Sequence, residues 1–134
     1  MKYIIDTNIM TAIIKDDLNV KERVIDVILR GHDLYINAIT YYEIKRGLLV
    51  KDAYRQMEIF ETLCNEYELV LFDDITIFDN AAEIYANLRK EGITIEDADI
   101  LIASLANTID CILVTNNTRH FEDINGLNIE NWIP

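Results

Sequence analysis

Lys2-Tyr3-Ile4-Ile5-Asp6-Thr7-Asn8 is a short apolar run that stops abruptly in a carboxylate, a hydroxyl and an amide. Tyr3, Ile4 and Ile5 are aromatic or β-branched and carry no charge between them. That pattern predicts a strand covered on both faces, as in a parallel sheet. Asp6 stands where the strand ends. In open α/β sheets the ligand crevice lies outside the carboxyl ends of the strands, so an acid placed there is aimed at whatever the crevice holds. A lone Asp before a helix is as often a cap or a turn former, so the meaning of Asp6 depends on which other groups reach the same edge.

The rest of the chain bounds what that edge can be. At 134 residues, with 51% hydrophobic residues, 4 Gly and 1 Pro, residues 1–134 read as a single packed domain with little linker. No stretch approaches the roughly 20 apolar residues of a membrane span, and the N-terminus lacks the pattern of a secretory leader. A cytoplasmic protein without membrane contact is expected. Cys64 and Cys111 match no metal-ligand spacing and lie in apolar segments, which predicts buried, reduced thiols. The 24 acids exceed Lys and Arg by 12, an excess that repels nucleic acid except where it is locally reversed.

Hydrophobic periodicity then gives an alternation of strands and helices. Asn8 is expected to cap a helix with Ile9, Met10, Ile13 and Ile14 inward. Val20, Val24, Val27 and Ile28 mark a second helix ended by Gly31, and a strand follows at Asp33–Asn37. Thr40 and Glu43 have capping-box spacing, which makes helix capping a competing explanation for Glu43. A helix around Met57 and Phe60 follows and is expected to pack antiparallel to the one before it. Next come a strand over Glu68–Phe72 and a helix with Ile77, Ala81, Ile84, Tyr85 and Leu88 inward. Ala98, Leu101, Ile102, Leu105, Ala106 and Ile109 form the stripe of the next helix. Strands are expected at Cys111–Val114 and near Leu127–Ile129, with Trp132 and Ile133 as a terminal anchor. This order predicts an α/β sandwich around a mainly parallel sheet of about five strands.

Three acids then require an explanation. Asp97 and Asp99 both open a helix, where acids favour the positive end of the helix dipole. Asp99 also borders the apolar stripe, so its carboxylate needs a partner. Residues two apart on a helix point in opposing directions, which ranks Asp99 ahead of Asp97. Were Asp6, Glu43 and Asp99 to meet, each pair at about 4 Å would cost roughly 4 kcal/mol at an effective dielectric near 20. A cation must then hold them, and an all-oxygen donor set suits Mg²⁺ or Mn²⁺. Thr115-Asn116-Asn117 ends a later strand much as Asp6-Thr7-Asn8 ends the first, which places Asn117 as a neutral ligand or an orienter of water. Lys45, Arg46, Lys51 and Arg55, with Arg119, are candidates for a local basic rim around the acidic centre, with Lys45 or Arg46 as its phosphate contacts, against the equal alternative of a solvated helix face.

Taken in order, Ile5-Asp6-Thr7-Asn8, Thr40-Tyr41-Tyr42-Glu43-Ile44 with Gly47, Asp99-Ile100-Leu101-Ile102-Ala103 with Ala106, and Val114-Thr115-Asn116-Asn117 with Phe121 resemble PIN-domain ribonucleases. The VapC-type toxins of bacterial toxin–antitoxin pairs are the nearest group, and the likeness runs from end to end. It implies a PIN-like three-layer α/β/α sandwich and an endoribonuclease dependent on Mg²⁺ or Mn²⁺. Asp6, Glu43 and Asp99 are implied as catalytic residues and metal ligands, with Thr7, Asn8, Asp97, Thr115 and Asn117 supporting them. An RNA substrate, a homodimer and a VapB-type antitoxin are implied as well. Asn117 departs from the pattern, since many members of the family carry a fourth acid there. Tyr3, Tyr41, Tyr42, Tyr54 and Phe60 include candidates for a partner surface. A receiver-type phosphoacceptor or a haloacid-dehalogenase-like phosphatase would need a second acid close after Asp6. A PIN fold kept only as a binding or dimerisation module is the remaining rival.

Overall fold

Lys2–Ile5 forms β1, the middle strand of a sheet in which every pairing is parallel. Its neighbours are β2 (Asp33–Asn37) and β4 (Ile112–Val114), with β3 (Glu68–Val70) and β5 (Ile129–Glu130) at the edges. The computed structural model describes residues 1–134. Alternation along the strands divides the core in two. Tyr3, Ile5, Leu34, Ile36, Ile112 and Val114 face one layer, while Ile4 and Leu113 face the other. Both faces of β1 are covered, as its unbroken apolar run requires.

The first layer holds α1 (Thr7–Ile14), α2 (Leu18–Leu29), α3 (Ala38–Val50) and α4 (Tyr54–Glu66). The second holds α5 (Ile75–Lys90), α6 (Asp97–Thr108) and the short α7 (Thr118–Phe121). The result is the three-layer α/β/α sandwich, with strand order β3-β2-β1-β4-β5. From β1 the chain first builds outward through β2 to β3, then crosses back to start β4 on the other side of β1. The order therefore reverses between β1 and β4, where open parallel sheets form their crevice.

Several local expectations are corrected. Asp6, rather than Asn8, caps α1, because the helix begins one residue after the strand ends and the Asp6 side chain takes the Thr7 N–H. Asn37, rather than Thr40, caps α3 through the Thr40 N–H, so Thr40 and Glu43 are helix-interior residues and no capping box exists. Ile28 and Tyr85 were expected inward but are 42% and 45% exposed. On α6 the buried set is Ile100, Ile102, Ala103, Ser104, Leu105 and Ala106, with Ala98 and Leu101 only half-buried. The sheet and α5 cover α6 from two sides, which broadens its buried face beyond a single stripe. β3 ends at Val70, short of Phe72, and β5 starts at Ile129 rather than Leu127.

Cys64 and Cys111 are free thiols, and burial pushes Cys111 up to about 11. No helix is long and apolar enough to cross a membrane. Trp132 is buried against Tyr3, at 5.6 Å between ring centroids, and donates its indole N–H to Glu130. Trp132→Ala is expected to cost about 3–5 kcal/mol in equilibrium urea unfolding. A loss below about 1 kcal/mol would show that the C-terminal segment does not anchor the first layer.

Candidate active site

Asp6 follows the central strand directly and its backbone N–H still bonds to Val114 O at 2.9 Å, so its carboxylate is fixed at the β1/β4 switch point. Only 3% of the residue is exposed. Such a buried acid must find donors. Oδ1 accepts the Thr7 N–H at 2.8 Å, while Oδ2 accepts the Thr115 hydroxyl at 2.8 Å and the Asn8 amide at 3.2 Å. Thr115 can donate because its own oxygen accepts the Asn117 backbone N–H. The Asn8 carbonyl accepts the Asn116 N–H, which ties the two strand ends together. Even so, burial pushes the Asp6 carboxyl above its ordinary range, and the nearby Asp99 carboxylate pushes the same way. The Thr115, Thr7 and Asn8 donors oppose them.

Glu43 approaches from α3 at the end of a directed chain of hydrogen bonds. The Asn37 amide donates to Ile5 O and to Thr40 Oγ1, which uses both of its protons. Thr40 is then left to donate to Thr7 Oγ1 at 3.1 Å, and Thr7 donates to Glu43 Oε1 at 2.7 Å. The carboxylate can only accept, so the direction of every proton in this chain is determined. Glu43 Oε2 stays open, with Arg46 3.9 Å away.

Asp99 reaches the same edge from the first turn of α6 and has a partner that sequence reasoning missed. His120 Nδ1 lies 2.8 Å from Asp99 Oδ2, so Nδ1 is the donor. Asp97 stands one position into the helix, exposed, and lines a separate cavity with Phe78, Tyr85 and Leu101. It is not brought to Asp6. Asn117 contributes its backbone N–H, while its side chain makes no hydrogen bond. Lys45 is turned onto Tyr41, donating to its hydroxyl at 3.0 Å and lying over its ring. Of the expected basic pair, only Arg46 stands beside a site acid. Asn37 and Thr40 were the other residues overlooked; Asn37 ends β2 as Asp6 ends β1, and that parallel was the signal available.

No three acidic, His or Cys side chains close into an ion-holding set. Glu43 is committed to Thr7 and Asp99 to His120. The donors are nonetheless hard oxygens, and Asp6 and Asp99 repel one another. That combination suits Mg²⁺, which binds through one or two carboxylates and keeps water or phosphate oxygens in its remaining positions.

A family description, the PIN domain, matches residues 3–127. The chain is a PIN-domain protein of the VapC type. It is 31% identical over 134 residues to the tRNA(fMet)-specific endonuclease VapC of Shigella flexneri, covering 98% of each chain. Ribonuclease VapC1 of Haemophilus influenzae is 27% identical over 132 residues, again with 98% of each chain covered. Among solved structures, VapBC2 of Rickettsia felis bound to a promoter DNA fragment superposes with a TM-score of 0.90 at 26% identity, covering 99% of this chain and 100% of that one. The DNA-bound VapBC of Salmonella typhimurium gives 0.86 at 28% identity, with 99% of each chain covered. The sandwich is thus that of a PIN domain.

The raised Asp6 carboxyl has a signed consequence. A folded-state value above the unfolded 3.8 means that the native state holds the proton longer, so the Asp6 contribution to stability falls as pH rises through that interval. In metal-free buffer the advantage of Asp6→Asn over wild type in thermal unfolding is therefore expected to grow from pH 4 to pH 7; a constant or shrinking difference would contradict a strained buried charge. Under the same conditions Asp99→Asn should hold or raise the melting temperature at pH 7, since it removes the repulsion. A loss of several degrees would make Asp99 a structural residue.

Proposed function

We propose that this chain is the endoribonuclease toxin of a VapBC-type pair, hydrolysing RNA phosphodiester bonds with Asp6, Asp99 and Glu43. The observation that carries the reading is the Asp6 carboxylate, buried at the sheet's switch point, supported by donors from two strand ends and facing a second acid. A structural cap has no need of that second acid. Curated relatives matched along nearly their whole length are named ribonucleases, which supports the same chemistry.

Asp6 and Asp99 are the residues proposed to hold Mg²⁺ or Mn²⁺, with Glu43 at its border; the ion would supply Lewis acidity toward the phosphoryl group and lower the pKa of water. The chain's own groups account for the remainder. The Asn37–Thr40–Thr7 chain fixes Glu43 Oε1 and leaves Oε2 to orient the attacking water and take up its proton. His120 fixes Asp99, and Arg46 lies close enough to Glu43 to offset negative charge as a phosphate approaches. Thr115 and Asn8 keep Asp6 in one rotamer. A VapB-type antitoxin, a homodimeric assembly and action in the cytoplasm complete the proposal; the solved VapBC complexes support the antitoxin.

The test is cleavage of bulk transfer RNA by the purified chain with Mn²⁺ or Mg²⁺. Asp6→Asn and Asp99→Asn should each lower the rate by roughly 10²-fold or more, and EDTA should abolish it. Equal cleavage by wild type and Asp6→Asn would sink the assignment, as would a wild type that binds its antitoxin and cuts no RNA.

A further inference from the structure

We infer that the cleft between α1 and α3 seats the RNA strand beside the scissile bond, with Lys15 and Lys51 holding a backbone phosphate at its rim. The inference rests on the ribonuclease reading above and assigns that reading its substrate subsite. The cleft has a volume of about 180 Å³ and shares Thr7 and Glu43 with the acidic site, so the two are continuous. Its other lining residues include Thr11, Gly47, Lys15 and Lys51. At roughly 30 Å³ per water it has room for about six.

The lysines stand out against the rest of the basic side chains. Of 12 Lys and Arg, seven are already engaged: Lys2 with a carbonyl, Lys21, Arg23, Arg30 and Arg46 with carboxylates, Lys45 with Tyr41, and Arg89 with the Tyr85 ring. Lys15 and Lys51 are among the five left over, and both line this one cleft. They are the C-terminal caps of α1 and α3. A favourable interaction with the helix dipole accounts for a lysine at either helix end. It does not account for both meeting beside Glu43.

Gly47 is the second, independent observation. It lies in the interior of α3, where glycine is destabilising relative to alanine, and its backbone is not in the left-handed region that would require glycine. A Cβ there would meet no atom within 4 Å, so packing does not require glycine either. Keeping the cleft clear does. The lining hydroxyls fit a ribose: Thr11 gives its proton to Thr7 O and keeps its acceptor lone pairs, while Thr7 gives its proton to Glu43, accepts from Thr40 and keeps one lone pair. A 2′-hydroxyl is the donor they can receive, and deoxyribose lacks it.

The experiment measures kcat and KM on bulk transfer RNA with Mn²⁺ at several salt concentrations, using the whole chain. Lys15→Ala combined with Lys51→Ala should raise KM about tenfold or more, leave kcat within about threefold, and reduce the magnitude of the logarithmic salt slope by about 1, the loss of one phosphate contact. Gly47→Ala should raise KM while raising the melting temperature by roughly 2–4 °C, so the lost affinity is not lost folding. Lys90→Ala, a free cation on the other layer, should change nothing. Unchanged KM and salt slope in the double variant, or unchanged KM in Gly47→Ala, would overturn the subsite while the ribonuclease reading stands. A double variant that keeps its RNA KM but loses affinity for a VapB-type antitoxin would make the cleft a protein groove and overturn it as well. A wild type that cleaves no RNA would overturn both readings together.

Discussion

A single buried carboxylate organises this protein. Asp6 is taken out of water at the end of the middle strand, and an acid in that position is tolerated only where donors surround it. Those donors come from its own helix start, through Thr7 N, and from the far strand end, through Thr115, with Asn8 bridging to Asn116. The β1–β4 pairing places them there. Strand order, helix start and loop chemistry at this edge all follow from keeping one negative charge solvated by protein. The donors do not cancel the burial cost in full, so the Asp6 carboxyl stays above its ordinary range.

Glu43 has a different support, and the difference separates two kinds of function. Asp6 is held by donors aimed at both of its oxygens, which suits a fixed ligand. Glu43 is held at one oxygen by a proton chain reaching back to the end of β2, which leaves the other oxygen open to solvent and to Arg46. Asp99 falls between them, anchored by a histidine from a four-residue helix. Three acids on three elements thus meet one edge with unequal freedom.

Where the sequence could be read and where it could not has a physical pattern. β1, β2, the inward face of α1 and, apart from Ile28, that of α2 were legible because period and boundary residues are local properties. These two caps were missed by two and three residues: Asp6 and Asn37 stand directly between strand and helix, and such abrupt transitions leave no separate cap in the sequence. Removing the apparent capping box at Thr40 left Glu43 without a local explanation and strengthened its place in the site. Asp99 was legible from its position beside an apolar stripe, and helical geometry accounts for Asp97 facing a different cavity. His120 was not legible, because a residue 21 positions away reaches Asp99 only after α7 is set against the sheet edge. Lys45 has a local partner instead, the Tyr41 hydroxyl one helical turn back on α3.

The span between Asp6 and Thr115 has a consequence for the birth of the molecule. The hydroxyl that donates to the Asp6 carboxylate lies 109 residues later in the chain. At synthesis rates of about 5–20 residues per second, roughly 5–20 s separate the translation of the two residues. During that interval β1 has no β4, the switch-point crevice does not exist, and Asp6 is an ordinary solvated acid. A nascent chain of this topology therefore lacks its switch-point crevice until β4 has been made, so the order of the strands sets when the buried acid can first be enclosed.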